Sequence, residues 1–297
     1  MIPFVRDIKF DYGKVDQVSP MIRRVVANNP GPFTFTGTGT YIVGSGSVAV
    51  IDPGPDMDDH LEAILDATRG ETVSHIFVTH NHIDHSPLSR PLAARTGAKI
   101  YACAHPGVPT DSAVRLEAGD DRAFAPDVGL CEGGVVEGEG WTLEAIPTPG
   151  HTSNHICYAL HEENALFSGD HIMGWSTTVI SPPDGDMADY FRSLALIRSR
   201  NFQTLWPTHG PPILEVDQFI QAYTDHRRDR ERQILSALAQ GPASIKTIVP
   251  VLYAAVDPRL HPAAAHSVLA HVIQLVAEGR VLSDGSPNLD GLLSLPA

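Results

Sequence analysis

Seven consecutive residues, Thr79-His80-Asn81-His82-Ile83-Asp84-His85, place three imidazoles and a carboxylate on one turn directly after the apolar run Ile76-Phe77-Val78. Neutral imidazole suits zinc and other borderline divalent ions, and a carboxylate completes a hydrolytic site. His80 and His82 are two apart, so both point the same way from an extended segment, whereas Asp84 and His85 lie past a bend and can face a second ion. A lone histidine is usually a satisfied surface or core residue. A solvated polar loop does not account for four ligand-type residues in six positions, and the cluster can serve two metals.

Three more candidate ligands follow the same grammar. Residues 141–146 read as a strand, which Pro147-Thr148-Pro149-Gly150 turns into His151; Ala165-Leu166-Phe167 runs into Ser168-Gly169-Asp170; Thr204-Leu205-Trp206-Pro207 leads to Thr208-His209-Gly210. An α/β sheet gathers the carboxyl ends of its strands into one crevice, so residues far apart in sequence can meet there. Glycines 150, 169 and 210 allow close backbone approach or positive φ. The strand 48–51 ends on Asp52 with no histidine beside it, and Asp52 either orients a ligand-bearing loop by hydrogen bonding or forms a plain strand-end turn. His155 is either a proton donor or phosphate contact, or a buried strand residue. His171 is expected to point away from the metals. Trp175 and Tyr190 either line the pocket or pack in the core.

The set His80, His82, Asp84, His85, His151, Asp170 and His209 resembles the metallo-β-lactamase superfamily, whose signature is His-x-His-x-Asp-His followed by a distant His, a bridging Asp and a last His. Asn29-Pro30-Gly31-Pro32, residues 37–44, Thr148-Pro149-Gly150-His151-Thr152, residues 162–170 and His226-Arg227-Arg228 are similar to the lactamase-beta-like protein two branch, across nearly the whole chain. Pro87-Leu88 and Gly39 depart from that branch near the expected mouth.

The resemblance implies an α/β fold, the αβ/βα sandwich of the superfamily, with a small C-terminal winged-helix domain. It implies His80, His82 and His151 on a first zinc ion, Asp84, His85 and His209 on a second, and Asp170 between them; manganese or iron could replace zinc. A hydroxide bridging the ions would be the nucleophile, with Asp84 as the catalytic residue that accepts or orients its proton. The best-studied members of the branch cleave single-stranded RNA. Diiron relatives carry a Glu where this chain has His82, so His82 favours hydrolysis over redox chemistry.

The elements that must hold these residues fit a chain of 297 residues with 42% hydrophobic content, long enough for one large α/β core and a satellite domain. The hydrolase domain is expected over residues 1–213 and the winged-helix domain over 214–297. Residues 214–240 show helical spacing with Phe219, Tyr223, Ile234, Leu235 and Leu238 inward. Residues 244–255 and 263–278 read as two further helices, and Val281-Leu282 starts a small β wing. This module would serve nucleic acid, or form a lid or dimer contact, and a homo-oligomer is compatible with it. The loops 33–40 and 173–189 are expected to shape the pocket.

A net charge of -14, with acidic runs at 52–59 and 117–127, works against phosphate attraction. A small acyl ester, thioester or lactone therefore competes with RNA as substrate, and a regulatory binding protein with a vestigial metal site is a third class. The basic stretch 226–232 alternates arginines with acids and is expected to be a solvated, salt-bridged helix face. No apolar stretch approaches the ~18 residues of a membrane span, and Arg6, Asp7, Lys9 and Asp11 occupy the place of a signal peptide's apolar segment. A cytoplasmic protein with no membrane partner is the expectation. Cys103, Cys131 and Cys157 are odd in number and widely separated, which predicts reduced thiols.

Overall fold

The computed structural model describes residues 2–105, 107, 119–254 and 257–296. The first sheet runs in chain order through β1 (Val15–Gln17), β2 (Ile22–Val26), β3 (Gly39–Val43), β4 (Ser47–Ile51), β5 (Thr72–Phe77), β6 (Lys99–Ala102) and β7 (Val128–Gly129). Its first four strands pair antiparallel and the rest parallel. The switch to parallel pairing needs crossovers, supplied by α1 (Asp58–Ala67) and α2 (Ser89–Thr96).

The second sheet, of β8 (Gly134–Gly138), β9 (Trp141–Pro147), β10 (Ile156–Leu160), β11 (Ala165–Gly169) and β12 (Thr204–Pro207), is antiparallel until β12 joins β11 in parallel. That crossover contains α3 (Met187–Ser199), begun by Asp186, whose side chain accepts a hydrogen bond from the Asp189 amide.

Strands covered on both faces read as unbroken apolar runs, and every residue of β10 and β11 is buried. Between the sheets, Tyr41, Ile51 and Phe77 pack against Leu143, Tyr158 and Phe167. Outside the first sheet, Ile42, Val50 and Ile76 meet Leu61, Ile64 and Leu92 of α1 and α2. Outside the second, Ile146 and Leu166 meet Leu194 and Ile197 of α3 and Phe219 of α4 (Val216–Leu238). Helices outside two facing sheets make the αβ/βα sandwich.

The C-terminal core gathers Ile234 and Leu238 of α4, Ile248 of α5 (Ile245–Leu252), Val268, Val272 and Leu275 of α6 (His261–Ala277), and Leu293. Leu293 lies in β14 (Leu293–Ser294), which pairs antiparallel with β13 (Leu282–Ser283) to make the wing. The start of α4 packs on the hydrolase and its end on this second core, so one helix belongs to both. Residue 255, the expected end of the second helix, and residues 117–118 of the acidic run lie outside the described residues.

Three expectations change. Cys103 and Cys131 form a disulfide, and Cys157 alone is a free, buried thiol. The register of β6 on β7, Ala102 beside Gly129, carries the two cysteines past adjacent strand ends, a proximity that their 28-residue separation hides. The pair removes the thiol argument for a reducing compartment. Pro258–Ala277 does have the length and apolar composition of a membrane span; here its Val268, Val272 and Leu275 fill the C-terminal core. The stretch 226–232 is not a wholly solvated face either: Arg227 and Glu231 are buried, in line with Ile234 and Leu238, while Arg228, Asp229 and Arg232 face water.

Phe77 is fully buried and its ring meets those of Tyr101, Trp141 and Tyr158 at 5.2, 6.2 and 5.0 Å. Phe77→Ala should cost about 3–5 kcal/mol, seen as a lower urea midpoint at unchanged slope.

Candidate metal centre

All seven candidate ligands stand just past the carboxyl ends of strands: residues 80–85 after β5, His151 after β9, Asp170 after β11 and His209 after β12. Their convergence needs the strand ends to approach closely. At Gly169, with φ +51°, an added Cβ would lie 2.5 Å from His155 Nε2 and 3.0 Å from Thr79 Cβ, so a side chain there would displace the His155 ring or the Thr79 segment.

The ligand atoms fall into overlapping groups, His80–His82–His151, His80–His85–Asp170 and Asp84–His85–His209, each spanning no more than 4.8 Å. In the first, His82 Nδ1 lies 2.9 Å from His80 Nε2 and 3.3 Å from His151 Nε2. In the last, His209 Nε2 lies 3.2 Å from Asp84 Oδ2, and His85 Nε2 lies 3.7 Å from Asp84 Oδ1. Asp170 sits between them, with Oδ1 3.5 Å from His209 and Oδ2 3.7 Å from His85 and 4.0 Å from His151.

The outer nitrogens decide what the inner ones can do. His151 Nδ1 is 2.8 Å from the Val179 carbonyl and His209 Nδ1 is 3.1 Å from the Gly37 carbonyl. A carbonyl only accepts, so both Nδ1 atoms carry a proton, and Nε2 is the atom each ring has left to coordinate with once any second proton is released. His85 Nδ1 donates to Asp52 Oδ2 at 2.9 Å, and His80 Nδ1 is 3.0 Å from Thr79 Oγ1, whose own proton goes to Asp52 Oδ2 at 2.8 Å. Inward lone pairs this close repel one another unless a cation or proton lies between them. Among the described residues, Asp84 Oδ1, His85 Nε2, Asp170 Oδ1 and His209 Nε2 are buried without a well-formed hydrogen bond, which costs about 1–3 kcal/mol each when left so. The donor set of imidazole nitrogens and carboxylate oxygens fits divalent zinc, iron or manganese.

Electrostatics divide the cluster. Burial, reinforced by neighbouring histidines, holds His80 well below the ordinary histidine range and His82 down to about 3, so both are neutral and ready to coordinate. Burial also opposes charge on His85 and His209, but it is outweighed by carboxylates: Asp84, Asp170 and Asp52 hold His85 well above its ordinary value, and Asp170 and Asp84 raise His209. Burial of Asp84 is likewise outweighed by His85 and His209, which bring it down to about 2, and Asp170 is lowered by the same pair.

The open alternatives resolve on hydrogen bonds. Asp52 orients the loop: it receives Thr79 N at 2.8 Å, Thr208 Oγ1 at 2.7 Å and the His85 and Thr79 side-chain donors. His155 is a buried positioning residue, its Nε2 accepting from the Asp170 amide at 3.2 Å and its Nδ1 lying 2.8 Å from Thr148 Oγ1. His171 is fully buried, and burial lowers it to about 3. Tyr190 packs in the core, while Trp175 stacks on Phe35 and lines the pocket. Thr79, Thr208 and Asp120, whose Oδ1 lies 3.7 Å from His82 Nε2, escaped the sequence reading. The repeated Thr-His pair at 79–80 and 208–209 was the available signal for the threonines.

Residues 34–209 match the Metallo-beta-lactamase superfamily, and residues 244–290 match the Beta-lactamase associated winged helix domain. The chain belongs to the metallo-β-lactamase superfamily. It is 33% identical over 234 residues to the Beta-lactamase-like protein 2 homolog of Caenorhabditis elegans, spanning 76% of this chain and 74% of that one. With an Atrochrysone carboxyl ACP thioesterase of Aspergillus fumigatus it shares 34% identity over 235 residues, 77% of this chain and 68% of that one. A beta-lactamase domain protein from Burkholderia ambifaria has the same fold, with a TM-score of 0.81 at 22% identity over 99% of this chain and 98% of the other. As a superfamily member the chain is a metal-dependent hydrolase with a C-terminal winged helix.

Asp52→Asn keeps the shape but weakens the hold on His85, and metal affinity should fall about 10–100-fold in a competitive chelator titration. Proton linkage has a defined sign. His85 and His209 are raised above 6.5 in the metal-free protein, so coordination must release their protons, and affinity should rise with pH until those values are passed. Calorimetry near pH 7 in buffers of different ionisation enthalpy should show that release; a buffer-independent heat would contradict it.

Proposed function

We propose that this protein hydrolyses the thioester or ester of a small acyl compound. The observation that carries the reading is a cavity of about 430 Å³ that His151 and Asp170 share with Phe33, Met173, Trp175 and Tyr253. A concave site of this size, with aromatic and aliphatic walls and a few polar groups, fits a small organic body. A net charge of -14 favours such a substrate over a phosphodiester chain. The thioesterase name carried by one relative is consistent with it.

When bound at the seven ligands, divalent ions would supply an activated water and polarise the attacked carbonyl. The chain's own groups do the rest. Asp84, ionised throughout the neutral range, offers Oδ1 as acceptor for a proton of the attacking water. His155 cannot share that work while both its nitrogens hold Asp170 and Thr148. Phe33, Met173 and Trp175 keep water from the acyl body, and Leu252 and Tyr253 from the C-terminal module form a further wall.

The zinc-loaded protein should hydrolyse members of a thioester and ester panel, with activity lost to chelator and reduced about 100-fold or more in Asp84→Asn. Metal-dependent cleavage of labelled single-stranded RNA without any acyl hydrolysis would overturn the reading and favour a nuclease.

A further inference from the structure

Eleven arginines among the described residues lie within 4.0 Å of a carboxylate: Arg23, Arg24, Arg69, Arg90, Arg95, Arg192, Arg198, Arg200, Arg232, Arg259 and Arg280. In so acidic a chain that is the expected state. Five more, Arg6, Arg122, Arg227, Arg228 and Arg230, show no such partner among the described residues, and three of them, Arg6, Arg227 and Arg230, line the cavity that holds His151 and Asp170. Asp170 is the sole carboxylate among the described lining residues.

Arg227 is the informative member. It is only 4% exposed, its Nε has no partner among the described residues, and its guanidinium lies 5.1 Å from the Tyr190 ring centroid. Nη2 donates to the Thr178 carbonyl, and Thr178 Oγ1 in turn donates to the Asp170 carbonyl at 2.8 Å, so one residue separates this charge from the metal centre. Arg230 stacks on Tyr253 at 3.9 Å, and Arg6 Nε donates to the Trp175 carbonyl at 3.4 Å. A buried guanidinium without a counter-charge is costly, and a bound carboxylate or phosphate would offset that cost with charge-assisted hydrogen bonds.

Resting on the acyl-hydrolase reading above, we infer that Arg227, with Arg230 and Arg6, forms an anion subsite, and that the preferred substrates carry a carboxylate or phosphate on the acyl body away from the scissile bond. The subsite sets specificity: Arg227 binds the remote anion and takes no part in bond breaking.

The test pairs substrates of equal length on the zinc-loaded full chain: butyryl, succinyl and 3-phosphonopropionyl thioesters of N-acetylcysteamine. An anionic member should be preferred about 10-fold or more in kcat/KM, chiefly through KM, and which anion wins separates carboxylate from phosphate. Arg227→Gln should collapse the ratio toward one, Arg227→Lys should retain part of it, and Arg230→Gln, at a half-buried position, should reduce it if Arg227→Gln does not fold. Equal rates in the unaltered protein overturn the inference while leaving the acyl-hydrolase reading intact. So does an Arg227→Gln protein whose rates fall together at a fixed ratio, because that marks a role confined to holding Thr178. Should no thioester or ester be turned over, the acyl reading fails, and calorimetry decides the subsite: glutarate or inorganic phosphate binding weakened in Arg230→Gln supports it, and no binding overturns it.

Discussion

The carboxylate of Asp52 is the interaction on which the rest of the site depends. It has no exposure to water, and its two oxygens take four donors: the amide and hydroxyl of Thr79, the Thr208 hydroxyl and His85 Nδ1. Those donors come from the segments that follow β5 and β12, which belong to different sheets. A buried charge is tolerable only when its lone pairs are filled, so Asp52 fastens the mouths of the two sheets together. The backbone shows the constraint, since Asp52 adopts φ 48°, an uncommon conformation for a residue with a side chain.

From that knot the candidate metal centre follows by simple propagation. His85 is turned so that Nε2 faces inward, and Thr79 does the same for His80. The opposite wall uses backbone carbonyls, Val179 for His151 and Gly37 for His209. His80, His85, His151 and His209 thus each carry a proton on the outer side, which leaves Nε2 to face a cation. His155 completes the frame by holding the amide of Asp170, the residue that faces both ligand groups.

The C-terminal module is part of this design and not an appendage. α4 begins in the hydrolase core with Phe219 and Tyr223 and ends in the second core with Ile234 and Leu238. Between those anchors it turns Arg227 and Arg230 toward the pocket, and the module adds Leu252 and Tyr253 to the same wall. Tyr223 also ties α4 to the pocket loop, its hydroxyl donating to the Met173 carbonyl at 2.7 Å. The shape of the space beside the metal centre therefore depends on how the two cores are joined.

Much of this was legible in the sequence because metal chemistry and strand periodicity are local. Dense ligand types on one turn, apolar runs ending on His151, Asp170 and His209, and the helical spacing of residues 214–240 each need only a few neighbouring residues to be read. The strands, the helix α4 and the wing stand where those patterns place them. What the sequence could not determine was anything set by the register between distant strands. The disulfide of Cys103 with Cys131 arises from the pairing of β6 with β7, and the four bonds of Asp52 arise from the facing of two sheets. The arginines of 226–232 read as a solvated face because charge alternation is local, whereas the burial of Arg227 is decided by α4 lying against Tyr190 and Thr178. Residue types and their spacing mark which side chains could bind metal; packing sets which way each coordinating atom points and which charges are left facing the pocket, because both depend on neighbours that chain order does not supply.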